Sequence, residues 1–163
     1  MPDPGDPPVH KAGGEMEERE TILVVDNENA VAELLKRGLI AAGYNVVIAL
    51  DGDNALKQVE KEAPDLILLD INMPGMDGYQ VCRRIRDKKV YDQIPVIMLT
   101  GLKESSQIVQ ALHAGADDYI FKSVADGKLV RKIEDMLALA RSGKLPSSYF
   151  LKKNGRNGDG NED

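Results

Sequence analysis

Residues with complementary chemistry stand at the ends of four short apolar runs. Asp26 ends the first run and Asn27 follows it, and Asp70, Thr100 and Lys122 end three later ones. Clustered oxygen atoms suit a hard cation such as Mg²⁺, and a carboxylate beside it can act as a nucleophile that becomes phosphorylated. An ammonium group and a hydroxyl would hold the phosphoryl oxygens. The chain has neither a GxxxxGKS/T loop nor GxGxxG, so this set favours phosphoryl transfer over nucleotide binding.

The apolar runs themselves predict strands. They are rich in Val, Ile and Leu and do not alternate with polar residues, which is typical of strands covered on both faces in a parallel sheet. The runs cover residues 22–26, 46–50, 66–70, 96–100 and 119–122.

Segments with helical spacing separate these strands. The first carries an apolar stripe and ends at Gly43, a typical helix stop, and the last is opened by Asp126 as a predicted N-cap. The stripes consist of Val31, Leu34, Leu35, Leu39 and Ala42 in the first helix and Leu129, Ile133, Met136, Leu137 and Ala140 in the last.

This alternation predicts an α/β fold of flavodoxin-like (βα)5 type, with a doubly wound five-stranded parallel sheet in the order 2-1-3-4-5. Strands 1, 3, 4 and 5 are consecutive neighbours in that order. Their carboxyl ends would bring the acid, amide, hydroxyl and ammonium groups into one row.

Composition limits the function classes. The chain has 163 residues and a net charge of −6, which argues against a nucleic-acid binder that works by bulk charge. The lone Cys82 excludes a disulfide within the chain and is expected to pack as a small hydrophobe. No apolar stretch approaches the roughly 20 residues that span a bilayer, so we expect a soluble, cytoplasmic protein.

Three segments are expected from the patterning. Residues 1–19 hold four of the eight prolines and are predicted to be a disordered extension, residues 20–142 form the domain, and residues 143–163 form a mostly disordered tail. Within that tail, the patch Tyr149 to Lys153 is either an incidental cluster or a docking segment for a partner or a neighbouring subunit. A basic run on the third helix is interpreted as a solvated helix end, with a docking patch for an acidic partner as the alternative, and contains Arg83, Arg84, Arg86, Lys88 and Lys89.

Four motifs in order resemble the receiver domain of two-component response regulators. They are VVDNE (24–28), LLDINMPGMDG (68–78), LTG (99–101) and FK (121–122), and the resemblance spans about residues 20–142. It implies that Asp70 is the phosphoacceptor. It also implies a metal pocket and a phosphoryl-binding switch. The implied metal-pocket residues are Asp26, Asn27, Asp70 and Asn72, the last through its backbone carbonyl, and the implied switch residues are Thr100, Gly101, Tyr119 and Lys122.

The same resemblance implies Mg²⁺ as cofactor and a histidine kinase or histidine phosphotransfer protein as phosphodonor. Output is expected through a protein target that binds the face made by helix 4, strand 5 and helix 5, without direct DNA binding or membrane association, and a homodimer is possible. The domain is expected not to be an enzyme, and to have at most self-phosphorylation and self-dephosphorylation activity.

Two residues depart from the family pattern. Asn27 stands where most members carry a second acid, which predicts weaker Mg²⁺ binding, and Ser123 stands where Pro usually follows the Lys. A cis bond before Ser would cost about 2.5–4 kcal/mol, which favours a trans Lys122–Ser123 bond. These departures leave open a pseudo-receiver that binds its partner regardless of phosphorylation. A phosphoesterase with an aspartyl-phosphate intermediate is a third class, but Asn72 stands where its general acid would be.

Overall fold

The computed structural model describes residues 19–101, 105–122 and 127–147. Five parallel strands form one sheet in the order β2-β1-β3-β4-β5, which confirms the predicted topology. The strands are β1 (Thr21–Val25), β2 (Asn45–Ala49), β3 (Leu66–Asp70), β4 (Val96–Thr100) and β5 (Asp118–Phe121). The helices are α1 (Asn29–Ala41), α2 (Gly52–Glu62), α3 (Gly78–Arg86), α4 (Ser105–Ala114) and α5 (Gly127–Arg141), with a 3₁₀ turn at Lys89–Tyr91.

Two apolar layers cover the sheet, one on each face. Alternate residues of a strand point to opposite faces, so Leu23 and Val25 contribute to one layer and Ile22 and Val24 to the other. Residues of α2, α3 and α4 complete the first layer, and residues of α1 and α5 complete the second. This double cover is the physical reason why the strands read as unbroken apolar runs.

Helix starts and stops follow local signals. Asp77 and Gln80 form a reciprocal capping box at the start of α3, with Gln80 N donating to Asp77 Oδ1 at 3.0 Å and Asp77 N donating to Gln80 Oε1 at 3.1 Å. Gly43, the predicted stop of α1, has φ of 107°, a conformation that glycine adopts without strain. The predicted N-cap Asp126 lies outside the described residues.

Three expectations differ from the structure. The apolar stripe of α1 predicts a buried Leu34, but this side chain is 69% exposed, because the buried positions are Ala32, Leu35 and Leu39. The interpretation of the basic run as solvated is wrong for Arg86, which is only 2% exposed and pairs with Asp117 at 2.9 Å.

The third difference concerns the segment after α5. The predicted tail begins at residue 143, yet Leu145 and Ser147 are buried. The backbone N–H of Ser147 donates to Asp117 Oδ1 at 2.8 Å. Within the described ranges, the packed chain therefore continues to Ser147.

Two further observations bear on the remaining expectations. Cys82 is buried in the α2–α3–α4 layer, and burial raises the pKa of its thiol to about 12, as fits an inert packing residue. Across the described ranges, none of the helices is both long and apolar enough to cross a membrane.

Candidate functional site

The strand register brings the predicted row of polar residues together. Val25 pairs with Leu69, Asp70 pairs with Leu99, and Thr100 pairs with Phe121. Asp26 and Lys122 directly follow their strands, so both lie at the same carboxyl edge as Asp70 and Thr100. The edge therefore presents acid, acid, hydroxyl and ammonium in the predicted order.

Asp70 is the buried carboxylate at the centre of this edge, with 1% of its surface exposed. Its Oδ1 atom accepts a hydrogen bond from the backbone N–H of Asn72 at 3.2 Å and lies 3.2 Å from Lys122 Nζ. Its Oδ2 atom accepts no hydrogen bond from the described residues. One carboxylate oxygen is thus fixed by the protein, and the other has no donor within the described part of the chain.

Lys122 joins the two buried acids. Its ammonium nitrogen lies 3.1 Å from Asp26 Oδ2 as well as 3.2 Å from Asp70 Oδ1. The exposed Glu28 carboxylate is farther away, at 3.8 Å. About a quarter of the Lys122 side chain remains exposed, so the ammonium group reaches the acids from the open side of the site.

Asp26 is fully buried, and its two carboxylate oxygens face different groups. Oδ1 accepts a hydrogen bond from the N–H of Glu28 at 2.9 Å, directly before α1 begins. This bond fixes the carboxylate with respect to the start of the helix. Oδ2 is then directed toward Lys122.

Burial and charge shift the pKa values of the site. Burial raises the pKa of Asp70 to about 6, with a further increase from the Asp26 charge, while Lys122 and the Asn72 N–H act in the opposite direction. Burial lowers the pKa of Lys122, but its hydrogen bond to Asp26 and the charges of Asp70 and Asp26 outweigh this and raise it above its ordinary value. Near neutral pH, Asp70 is therefore mostly ionised and Lys122 carries its charge.

The remaining predicted metal-pocket residues border the two buried acids. Asn27 and Asn72 follow the acids in the loops and have exposed side chains. Within residues 19–101, 105–122 and 127–147, no group of three or more His, Cys, Asp or Glu side chains is arranged to hold a metal. Asp26 and Asp70 are the two buried acids at this edge of the sheet.

Thr100 contacts a residue that the sequence did not indicate. Its hydroxyl donates to Gln107 Oε1 on α4 at 3.4 Å. The backbone carbonyl of Gln107 accepts a separate hydrogen bond from the Tyr79 hydroxyl of α3 at 3.3 Å. No motif marks a glutamine seven residues after a threonine, so only the packing of α4 over β4 could identify this contact.

Gly101 and Tyr119 complete the predicted switch set. A Cβ atom at Gly101 would meet nothing within 4 Å among the described residues, so the space directly beside this glycine is open in that part of the chain. Tyr119 packs against the α2–α3–α4 layer, and its ring meets the edge of Phe121 at 5.8 Å. Lys132 of α5 lies 5.9 Å from the Tyr119 ring centre, which places this tyrosine between α4 and α5.

Gly78 fixes the loop that follows Asp70. A Cβ atom at this position would lie 2.4 Å from the Asp70 carbonyl oxygen and 2.8 Å from Ile71 Cα. Its backbone N–H donates to the Ile71 carbonyl at 2.9 Å. Only glycine allows this close approach, so the last residue of LLDINMPGMDG is a structural requirement of the site. Ser123, the other departure from the family pattern, lies outside the described residues.

A doubly wound five-stranded sheet with two buried carboxylates, a hydroxyl and an ammonium group at its carboxyl edge defines a receiver-type signalling domain. The model of the response regulator receiver domain matches residues 22–134. The chain belongs to this family, whose members are signalling domains of two-component systems.

Individual relatives agree with this assignment. The chain is 38% identical over 138 residues to a probable transcriptional regulator ycf27 of Porphyridium aerugineum, covering 85% of this chain and 55% of the relative. It is 40% identical over 116 residues to the alkaline phosphatase synthesis transcriptional regulatory protein PhoP of Bacillus subtilis, covering 71% and 48%. The chain thus spans about half the length of these relatives.

Solved structures show the same fold. A putative response regulator from Chloroflexus aurantiacus superposes with a TM-score of 0.71 at 37% identity, covering 74% of this chain and 99% of the other. A CheY-like receiver domain protein from Methanospirillum hungatei gives a TM-score of 0.71 at 32% identity, covering 77% and 99%.

Proposed function

We propose that Asp70 accepts a phosphoryl group from a phosphohistidine of a histidine kinase or histidine phosphotransfer protein. The observation that carries this proposal is that the two oxygens of the Asp70 carboxylate have different contacts. Oδ1 is held by the Asn72 N–H and Lys122, whereas Oδ2 has no donor among the described residues. The pKa of about 6 leaves the group mostly ionised near neutral pH and hence nucleophilic.

In the transfer, an Asp70 oxygen forms a bond to phosphorus while the bond from phosphorus to the donor imidazole nitrogen breaks. The imidazole leaves with the electron pair of that bond, so the reaction needs no oxidant or reductant. Lys122 stays charged and faces the phosphoryl oxygens, which disperses their added negative charge. Thr100, on the neighbouring strand, supplies a hydroxyl that binds one of these oxygens in the phosphorylated form.

The pocket fits Mg²⁺. Two buried carboxylates and a nearby amide provide the oxygen ligands that this ion prefers, and Mg²⁺ commonly takes only one or two protein carboxylates. Asp26, Asp70, the Asn72 backbone carbonyl and the Asn27 amide would hold it. When bound, the ion neutralises negative charge on the phosphoryl group and offsets the repulsion between the two acids.

Phosphorylation would then act as a switch. A phosphoryl group adds about −1.5 to −2 charges, and its oxygens compete with Gln107 for the Thr100 hydroxyl. Loss of the Gln107 contact changes how α4 is held beside β4 and Tyr119. The face formed by α4, β5 and α5 is therefore the proposed output surface for a downstream protein target. Asn72 offers an amide where a phosphoesterase would need a general acid, so no turnover beyond self-phosphorylation and self-dephosphorylation is proposed.

The direct test is intact-mass spectrometry after incubation with a small phosphodonor and Mg²⁺. We expect one phosphate adduct on the wild-type chain, none on Asp70→Asn, and an unchanged adduct on Asp53→Asn, which removes an exposed acid outside the site. Absence of any adduct over a wide range of Mg²⁺ concentrations would overturn the proposal. That result would favour a pseudo-receiver that binds its partner regardless of phosphorylation.

A further inference from the structure

A groove of about 500 Å³ lies between α2 and α3, away from the phosphoryl site. The residues that line it come from the second half of α2, the last turn of α3 and the 3₁₀ turn that follows. The lining is apolar at its base and charged at its rim. The apolar residues are Leu56, Val59, Ile85 and Tyr91, and the charged ones are Lys57, Glu60, Arg84, Asp87 and Lys88.

Apolar surface beside this groove is incompletely covered. Val90, adjacent to the groove residue Tyr91, is 78% exposed, more than any other large hydrophobic side chain in the described ranges. Leu56 and Tyr91 are themselves only half-buried. The exposed Val90 and the two half-buried side chains together leave apolar surface at the groove that a partner or a segment can cover.

The chain after α5 leads toward this groove. α5 packs on the opposite face of the sheet, but the segment that follows it brings Ser147 into contact with Asp117, which pairs with Arg86 of α3. The Ser147 N–H donates to Asp117 Oδ1, while Asp117 Oδ2 pairs with Arg86 at 2.9 Å. Arg86 also donates to the Tyr91 carbonyl at 3.0 Å. Two side chains therefore connect the last described residue to the groove.

The next residues of the chain have matching chemistry. Tyr149, Phe150 and Leu151 form an apolar triplet that Lys152 and Lys153 follow. At roughly 3.3–3.6 Å per extended residue, this triplet begins about 7 Å beyond Ser147 and extends to about 14 Å. That distance suits a groove whose residue Tyr91 is linked through Arg86 to Asp117, the anchor of Ser147.

The rim charges indicate which part of the segment supplies the binding energy. Glu60 and Asp87 can pair with the two lysines, but Lys57, Arg84 and Lys88 lie on the same rim. Exposed ion pairs contribute little. Burial of the apolar triplet therefore contributes most of the favourable free energy of docking.

We infer that residues 149–151 dock into the α2–α3 groove of the same chain, anchored by the bond from Ser147 to Asp117. The segment would cover the apolar surface around Val90 and Tyr91. It would also tie α3 to the end of α5 on the other face of the sheet. A protein partner that used this groove would have to displace it.

The test uses the full chain with methyl NMR and a nitroxide label. Asn154→Cys places the label just beyond the segment, and the buried Cys82 is left unlabelled. We expect strong broadening of the Val59, Ile85 and Val90 methyl signals in the labelled chain. Phe150→Ser should relieve this broadening several-fold, whereas the matched tail substitution Asn157→Ser should leave it unchanged.

A shortened chain and a mixing experiment separate the alternatives. Termination after Ser147 keeps the anchor and should shift the same methyl signals as Phe150→Ser does. Equal broadening in the Phe150→Ser and parent chains would overturn the inference. Broadening of unlabelled chains by labelled ones in a mixture would assign the groove to a second copy, which would also overturn docking within one chain.

Discussion

The Thr100 hydroxyl donates to Gln107 Oε1 across the interface of β4 and α4, at 3.4 Å. Thr100 directly follows Leu99, the register partner of Asp70 on the neighbouring strand. The same proton cannot be given to Gln107 and to a phosphoryl oxygen together. The contact therefore competes with the phosphorylated state.

Gln107→Ala should make phosphorylation easier. At 3.4 Å this hydrogen bond is long and its net contribution is at the low end, about 0.5 kcal/mol, so its loss should raise the rate of labelling by a small phosphodonor roughly 2-fold. The time course of adduct formation by mass spectrometry measures this rate. Gln110→Ala removes an exposed glutamine from the same helix and should have no effect. Equal rates in Gln107→Ala and wild type would show that the contact does not restrain Thr100.

Asp70→Asn should stabilise the fold at neutral pH. The folded-state pKa of about 6 lies above the ordinary 3.8, so the folded protein binds a proton more tightly than the unfolded one between these values. The contribution of Asp70 to the free energy of unfolding of the wild-type domain therefore falls as pH rises from about 4 to about 6. In thermal unfolding, the variant should exceed the wild type at pH 7.5, and the difference should vanish near pH 4. Asp53→Asn is the control, and a less stable Asp70→Asn at pH 7.5 would contradict the prediction.

Asn27→Asp should strengthen Mg²⁺ binding. A full negative charge close to the cation is worth a few kcal/mol at an effective dielectric constant near 20, so we expect at least about a tenfold lower Kd in calorimetric titration. Asn29→Asp adds the same charge two residues later, on an exposed position of α1, and should change the Kd far less. Identical affinities for Asn27→Asp and wild type would refute the view that this amide weakens the site.

Arg86→Leu should destabilise the domain strongly. The arginine is 2% exposed and bonds to Asp117, to the Gly115 carbonyl at 2.8 Å and to the Tyr91 carbonyl. Removing one partner of a buried pair costs about 3–5 kcal/mol, because the other charge is left without compensation. Urea unfolding measures this loss. The exposed neighbour Arg83 provides the matched control, since Arg83→Ala should change stability by no more than about 0.5 kcal/mol.

The sequence by itself determined the fold class and the set of polar residues that meet at the carboxyl edge of the sheet. Unbroken apolar runs can bury their side chains only between two helical layers, so the parallel sheet follows from the pattern of residues. The order 2-1-3-4-5 was predicted as the usual order of a five-stranded doubly wound fold. Asp26, Asp70, Thr100 and Lys122 could be located as well, because the carboxyl ends of neighbouring parallel strands meet at one edge.

Tertiary structure decided which side chains contact one another. Leu34 fits a helical stripe but lies just outside the buried arc of α1, since the exact rotation of a helix depends on its packing against the sheet. The sequence pattern predicts that Arg86 is one of several solvated basic residues. In the structure, the α4–β5 connection places Asp117, which is 31 positions later in the sequence, in contact with it. The contact of Gln107 with Thr100 and the burial of Leu145 could not be predicted from the local sequence either. A local pattern records periodicity and residue type, whereas these contacts depend on how distant segments approach in space.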